Sequence, residues 1–71
     1  MNGSNYNLKE NGHRLQALRG TRRREEVANA TGICVSALAM YESGRRNPRD
    51  EVKCSLAKYY GVSVSDIFFP H

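Results

Sequence analysis

An all-α chain of five short helices is the fold this sequence predicts, on three observations. Glycines at Gly12, Gly20, Gly32, Gly44 and Gly61 cut its 71 residues into pieces of similar length, and glycine commonly stands just past a helix end. Within the pieces, apolar residues recur three and four apart, which is the helical period. Alternating β-branched residues are missing until "GVSVSD", which is too short to build a sheet. A chain of this length makes one domain, near the lower limit for folding without covalent staples.

The opening "MNGSNYNLKENG" is polar and rich in asparagine, without the apolar core of a signal peptide. Residues 1–10 are expected to form a flexible arm, with the folded domain over 11–71. The first helix, in "HRLQALRG", places Leu15 and Leu18 three apart and stops at Gly20. The second, in "RREEVANATG", opens with Glu25 and Glu26, which suit the positive end of a helix dipole. It carries Val27 and Ala28 and ends at Gly32. The third runs from about Cys34 to Ser43, with Leu38 and Tyr41 on one face and Gly44 as its stop. The fourth is expected to start at Pro48, a residue suited to a first turn. It carries the stripe Val52, Leu56, Tyr60, flanked by Ala57 and Tyr59, with Cys54 read as core and Gly61 as its end. The fifth opens at Ser63 with Asp66 three residues on, an approximate capping box, and runs until Pro70. Helices this short are marginal alone, so packing must stabilise them. The expected core is Leu15, Leu18, Val27, Ala28, Ile33, Leu38, Tyr41, Val52, Leu56, Val62, Val64, Ile67 and Phe68.

Eleven Lys and Arg oppose seven Asp and Glu, for a net charge of +4. "TRRRE" supplies Arg22, Arg23 and Arg24; "GRRNPRD" supplies Arg45, Arg46 and Arg49. Arginine outnumbers lysine, which suits planar, bidentate contact with phosphate. By composition alone, a solvated basic face without a partner fits equally well. Cys34 and Cys54 form no CxxC pair, and His13 and His71 lie far apart, so the spacing suits no zinc site. No cofactor, metal or small-molecule ligand is expected. Secreted domains of this size usually carry more disulfides, so two reduced cysteines and a cytoplasmic location are expected. No apolar run approaches the length of a membrane span. No histidine stands in a recognisable arrangement with a nucleophilic Ser or Cys, so no enzyme is expected. Cys34, at a helix N-terminus near arginines, fits a redox-sensing thiol or a small filler, and the filler reading is preferred.

The second and third helices are joined by a very short link around Gly32 and Ile33, the signature of a helix-turn-helix. Ala28 must be small where the third helix crosses it. Gly32 supplies a backbone angle that other residues reach only at a cost. Ile33 and Leu38 plug the angle between the helices, Val27 faces the core, and Tyr41 closes the far end.

From Gly12 to Phe69 the chain resembles the phage-repressor-like (Xre-type) helix-turn-helix family. "GHRLQALR" is similar to that family's first helix. "REEVANATGICVSALAMYESGRRNP" is similar to its core motif, and "LAKYYGVSVSDIFF" to its closing helices. The resemblance implies a five-helix, lambda-repressor-like DNA-binding domain whose third helix, at about 34–43, enters the major groove. It implies base-facing positions at Val35, Ser36, Ala39 and Met40. It implies phosphate contacts from Arg22, Arg23, Arg24, Arg45, Arg46 and Asn47, and a structural pair, Arg19 with Glu42, tying the first helix to the third. Arg24 replaces the family's usual glutamine, and the link "GTRRR" is about two residues short of the family's usual one. Arg23 and Cys34 stand where Ser or Thr usually caps a helix.

No Arg, Lys, Asn or Gln lies between Ile33 and Ser43, and those side chains make the paired hydrogen bonds of major-groove readout. Base discrimination is therefore expected to be modest, with affinity carried by arginines and sensitive to salt. The expected function is a bacterial or phage-encoded transcriptional regulator, a repressor, binding double-stranded DNA as a homodimer with Phe69 as a candidate dimer contact. The chain has no room for an effector domain, so any response to a ligand is expected to be indirect or absent. The alternative is a protein-binding helix-turn-helix module, an antitoxin or bridging factor, with weak DNA binding and with Val35 and Met40 as a contact patch.

Overall fold

In a computed structural model, which describes residues 8–68, the chain forms α1 (Leu8–Arg19), α2 (Arg24–Thr31), α3 (Val35–Glu42), α4 (Asp50–Tyr60) and α5 (Val64–Ile67). No strand occurs among the described residues, and none of the helices there is long and apolar enough to cross a membrane. The expected arm is shortened: Leu8, Lys9 and Glu10 form the first turn of α1, and residues 1–7 lie outside the described residues.

Gly12 does not end an element. It lies inside α1 and is buried because that helix meets the end of α3 backbone to backbone. A Cβ at Gly12 would lie 2.9 Å from the Tyr41 carbonyl oxygen and closer still to that of Glu42. Gln16, one turn on, donates from Nε2 to the same Glu42 carbonyl at 2.8 Å. This contact between α1 and α3 is the most extensive between helices among the described residues.

The core gathers one apolar stripe from each helix. Leu15, Val27, Leu38, Leu56 and Ile67 have no exposed surface, and Phe68, Ile33, Tyr41 and Ala57 complete the cluster. Burying one such aliphatic side chain is worth about 1.5–3 kcal/mol. Leu18, Val52, Val62 and Val64, expected inside, are half-buried and cover its edge.

Two expectations for α4 are corrected. The helix begins at Asp50, with Arg49 as its N-cap; Pro48 precedes the cap and is buried. Its inward face is Lys53, Leu56 and Ala57, so Cys54 falls on the outer side and is exposed. Lys53 is accommodated because its Nζ sits 5.4 Å over the Phe68 ring while its stem is buried.

A reciprocal capping box holds α5. Ser63 Oγ accepts from Asp66 N at 3.3 Å, and Asp66 Oδ2 accepts from Ser63 N at 3.0 Å. These hydrogen bonds hold the Asp66 carboxyl below its usual range. Arg14 Nη1 then donates to the Ile67 carbonyl at 2.9 Å and to Asn11 Oδ1 at 3.1 Å, fastening α5 to α1.

Gly12 and Gly32 are needed for different reasons. Gly32 ends α2 at φ 79° with nothing within 4 Å of an added Cβ. Gly32→Ala should therefore cost only the left-handed strain, about 1 kcal/mol. Gly12→Ala must push two backbones apart and should cost about 3 kcal/mol, the upper part of the overpacking range. Urea unfolding of both variants checks this order.

Candidate nucleic-acid interface

The turn between α2 and α3 is built from its own residues. Thr31 Oγ1 donates to the Val27 carbonyl at 2.8 Å and accepts from Ile33 N at 3.3 Å, while Gly32 N donates to the Ala28 carbonyl at 2.8 Å. Ala28 and Ile33 are buried in the angle so formed. Arg23 and Cys34 occupy the N-cap positions of α2 and α3 with extended backbone, and neither side chain caps its helix. Cys34 is exposed, with Sγ 3.6 Å from Ser36 Oγ. That contact, the nearby Ala37 amide and the charge of Arg46 hold its thiol below the usual value.

The phase of α3 divides its residues cleanly. Leu38, Tyr41 and Glu42 are buried; Val35 and Met40 are 38% and 40% exposed, Ser36 is exposed, and Ala39 is half-buried. Positions 35, 36, 39 and 40 share one side of the helix. That side offers three apolar groups and one hydroxyl.

The orientation of α3 is set by Glu42. Its side chain has no exposed surface. It accepts from Arg19 Nε at 2.7 Å and Arg19 Nη2 at 3.0 Å, a two-point contact, and from Arg24 Nε at 2.9 Å. Arg19 Nη1 also donates to the Arg22 carbonyl at 2.8 Å, bracing the short link between α1 and α2. One carboxylate thus ties together three helices, and Arg19 is held firmly in its charged form.

The arginines expected at phosphates fall into different settings. Arg24 is not a free cation: Glu42 takes its Nε, yet its side chain remains 41% exposed. Arg22 lies over the Tyr59 and Tyr60 rings, 5.4 and 5.7 Å from their centroids. Arg23, Arg45, Arg46 and Asn47 are exposed, and no ion pair engages the three arginines among the described residues. Phe69, the candidate dimer contact, lies outside the described residues. Sequence reasoning missed the shared use of Glu42 and the aromatic seat of Arg22. The adjacent tyrosines of "KYYG" were the available signal for the latter.

Tyr59 and Tyr60 meet edge to face at 5.0 Å. The Tyr60 hydroxyl is buried with no hydrogen-bond partner among the described residues. Burial first, then the charge of Glu42, pushes its pKa from 10.0 up to about 12.

Comparison with known proteins fits this geometry. The model of the helix-turn-helix domain family matches residues 10–67. The chain belongs to that family, and two curated relatives, one of them a phage repressor, place it among the helix-turn-helix regulators of the Xre-like kind. It is 40% identical over 43 residues to the cryptic phage CTXphi transcriptional repressor RstR of Vibrio cholerae, covering 61% of this chain and 39% of that protein. It is 43% identical over 56 residues to the HTH-type transcriptional regulator DdrOP3 of Deinococcus deserti, covering 76% of this chain and 43% of that protein. The match therefore spans less than half the length of either relative. No solved structure matches significantly.

The orphaned hydroxyl gives a test of this corner. Tyr60→Phe removes a buried hydroxyl that has no hydrogen-bond partner among the described residues, so at neutral pH it should leave stability unchanged or slightly raised. The folded chain keeps the Tyr60 proton to about pH 12, whereas the unfolded chain loses it near 10.0. Only the unfolded chain ionises at this residue between these values, so stability is unaffected by it below pH 10 and falls as pH rises towards 12. Urea melts at pH 9 and 11 should show a smaller alkaline loss for Tyr60→Phe than for the parent chain.

Proposed function

We propose that this chain is the DNA-binding domain of a transcription regulator, a repressor, that lays α3 in the major groove of double-stranded DNA. The observation that carries this reading is the exposed side of α3, followed directly in sequence by Arg45 and Arg46, which pair with no carboxylate among the described residues. Both relatives, one named a transcriptional repressor and the other a transcriptional regulator, support the same class of function.

On this reading Val35, Ala39 and Met40 touch thymine methyl groups, and the Ser36 hydroxyl makes a single hydrogen bond to a base edge. Such a surface discriminates weakly at each half-site. Two copies related by a two-fold axis double the address, so the chain acts as a homodimer on DNA. Arg23, Arg45, Arg46 and Asn47 take phosphates. Arg24 contributes through its terminal nitrogens, since its Nε is engaged. Arg22, stacked on two rings, is the weakest of the six phosphate candidates. The protein acts in the cytoplasm of a bacterium, encoded by the host or by a phage, and uses no cofactor.

Exposed Val35 and Met40 also suit a protein partner, and salt dependence separates the two readings. Affinity for random-sequence duplex, followed by fluorescence anisotropy, should fall linearly on a log–log plot against salt, by about 0.9 per phosphate contacted. Reversing both charges in Arg45→Glu/Arg46→Glu should weaken low-salt binding by at least about tenfold and flatten the slope. Negligible binding at low salt, or a double variant that binds like the parent, sinks the DNA reading in favour of a protein-binding module.

A further inference from the structure

The first turn of α1 is pressed onto the turn that follows α3. Gly44 lies in that turn, and a Cβ on it would stand 2.8 Å from Lys9 Cα, 3.0 Å from Lys9 N and 3.1 Å from Lys9 Cγ. The backbone and aliphatic stem of Lys9 therefore rest directly on Gly44, whose chain neighbours are Arg45 and Arg46. All three cations are exposed, and none pairs with a carboxylate among the described residues. Glu10, the next residue on α1, projects about 100° further round the helix.

Folding thus brings Lys9 from the other end of the sequence up to the basic turn, at the C-terminal end of the helix whose outward side is proposed to read DNA. Gathering like charges costs self-repulsion, which a polyanion relieves. Gly44 keeps the contact close, since any side chain there would displace the α1 backbone. We infer that Lys9 is a phosphate contact, so that the DNA-binding surface extends beyond the helix-turn-helix onto the first turn of α1 as a ridge of Lys9, Arg45 and Arg46. The occupant is the phosphate backbone of the duplex that α3 reads, because Lys9 adds its charge to Arg45 and Arg46, which directly follow that helix and are themselves proposed to take phosphates. The inference rests on the DNA-binding reading above.

The test compares Lys9→Gln with Lys58→Gln, which removes the same charge from α4 beside Ala30 and Thr31 at the end of α2. Both residues are exposed, so both variants should keep the parent's thermal unfolding. Binding to random duplex is measured by anisotropy over a salt series. Lys9→Gln should reduce the slope of log affinity against log salt by about one, with Lys58→Gln close to the parent and Lys9→Arg restoring the parent slope. If the parent binds but Lys9→Gln keeps the full slope, or both glutamine variants lower it equally, the ridge is wrong and the DNA reading survives. If the parent itself does not bind duplex, both fall together.

Discussion

The fold depends on one buried carboxylate. Taking Glu42 out of water is costly, and the cost is met only because two guanidiniums converge on it, one through two nitrogens and one through Nε. A buried ion pair is a poor source of net stability compared with well-packed apolar residues, but it is intolerant of a missing partner. Its effect here is geometric. Arg19 comes from the last turn of α1, Arg24 from the first turn of α2 and Glu42 from the last turn of α3, so the three ends can meet in only one arrangement. The unusually short α1–α2 link is held by the same cluster, through the bond from Arg19 to the Arg22 carbonyl.

That electrostatic node is matched by a steric one. Gly12 lets α1 sit against the peptide carbonyls of Tyr41 and Glu42, and Gln16 satisfies the Glu42 carbonyl from the same helix. The side chain and the main chain of Glu42 are therefore both held, by different elements. With the C-terminal end of α3 fixed this way and its N-terminal end fixed by the turn at Gly32, the helix has little freedom to rotate. Its outward face is then defined by what remains, which is why Val35 and Met40 are exposed although both are apolar.

What was legible in the sequence is what depends on local spacing. Ala28, Gly32, Ile33, Leu38 and Tyr41 announce two helices and their turn because helical phase and the left-handed glycine act over a few residues. The capping box at Ser63 and Asp66 is equally local. The failures share a different cause. Gly12 reads as a stop, but a glycine needed for close approach looks the same in sequence as one needed for a turn. The stripe of α4 holds at Leu56 and Ala57, with Val52 and Tyr60 packed beside them, but it lacks Lys53, which counts as polar until Phe68 is seen over its ammonium; Cys54 reads as core because a free cysteine behaves as a small apolar residue, while helical phase puts it outside. Arg24 reads as a free cation because the carboxylate that captures it is 18 residues away.

The sharing of Arg24 bears on how such a domain grips a polyanion. An arginine held at Nε has its planar fork already aimed, so less side-chain entropy is lost when its terminal nitrogens meet a phosphate. A lysine at the same position would carry the charge without the aim. On the proposed reading, the residue that orients the reading helix is thus also one that meets DNA, and the fold and the interface share a single ion cluster. The cost is specificity. On that same reading, a surface of methyl groups and one hydroxyl reads few bases directly, and the proposed two-fold pairing is joined by how readily a sequence adopts the shape that brings its phosphates to a fixed set of cations. On the proposed reading, the three-helix tie at Glu42 favours that second route, because a mould that cannot adjust distinguishes shapes that a pliant one would accept.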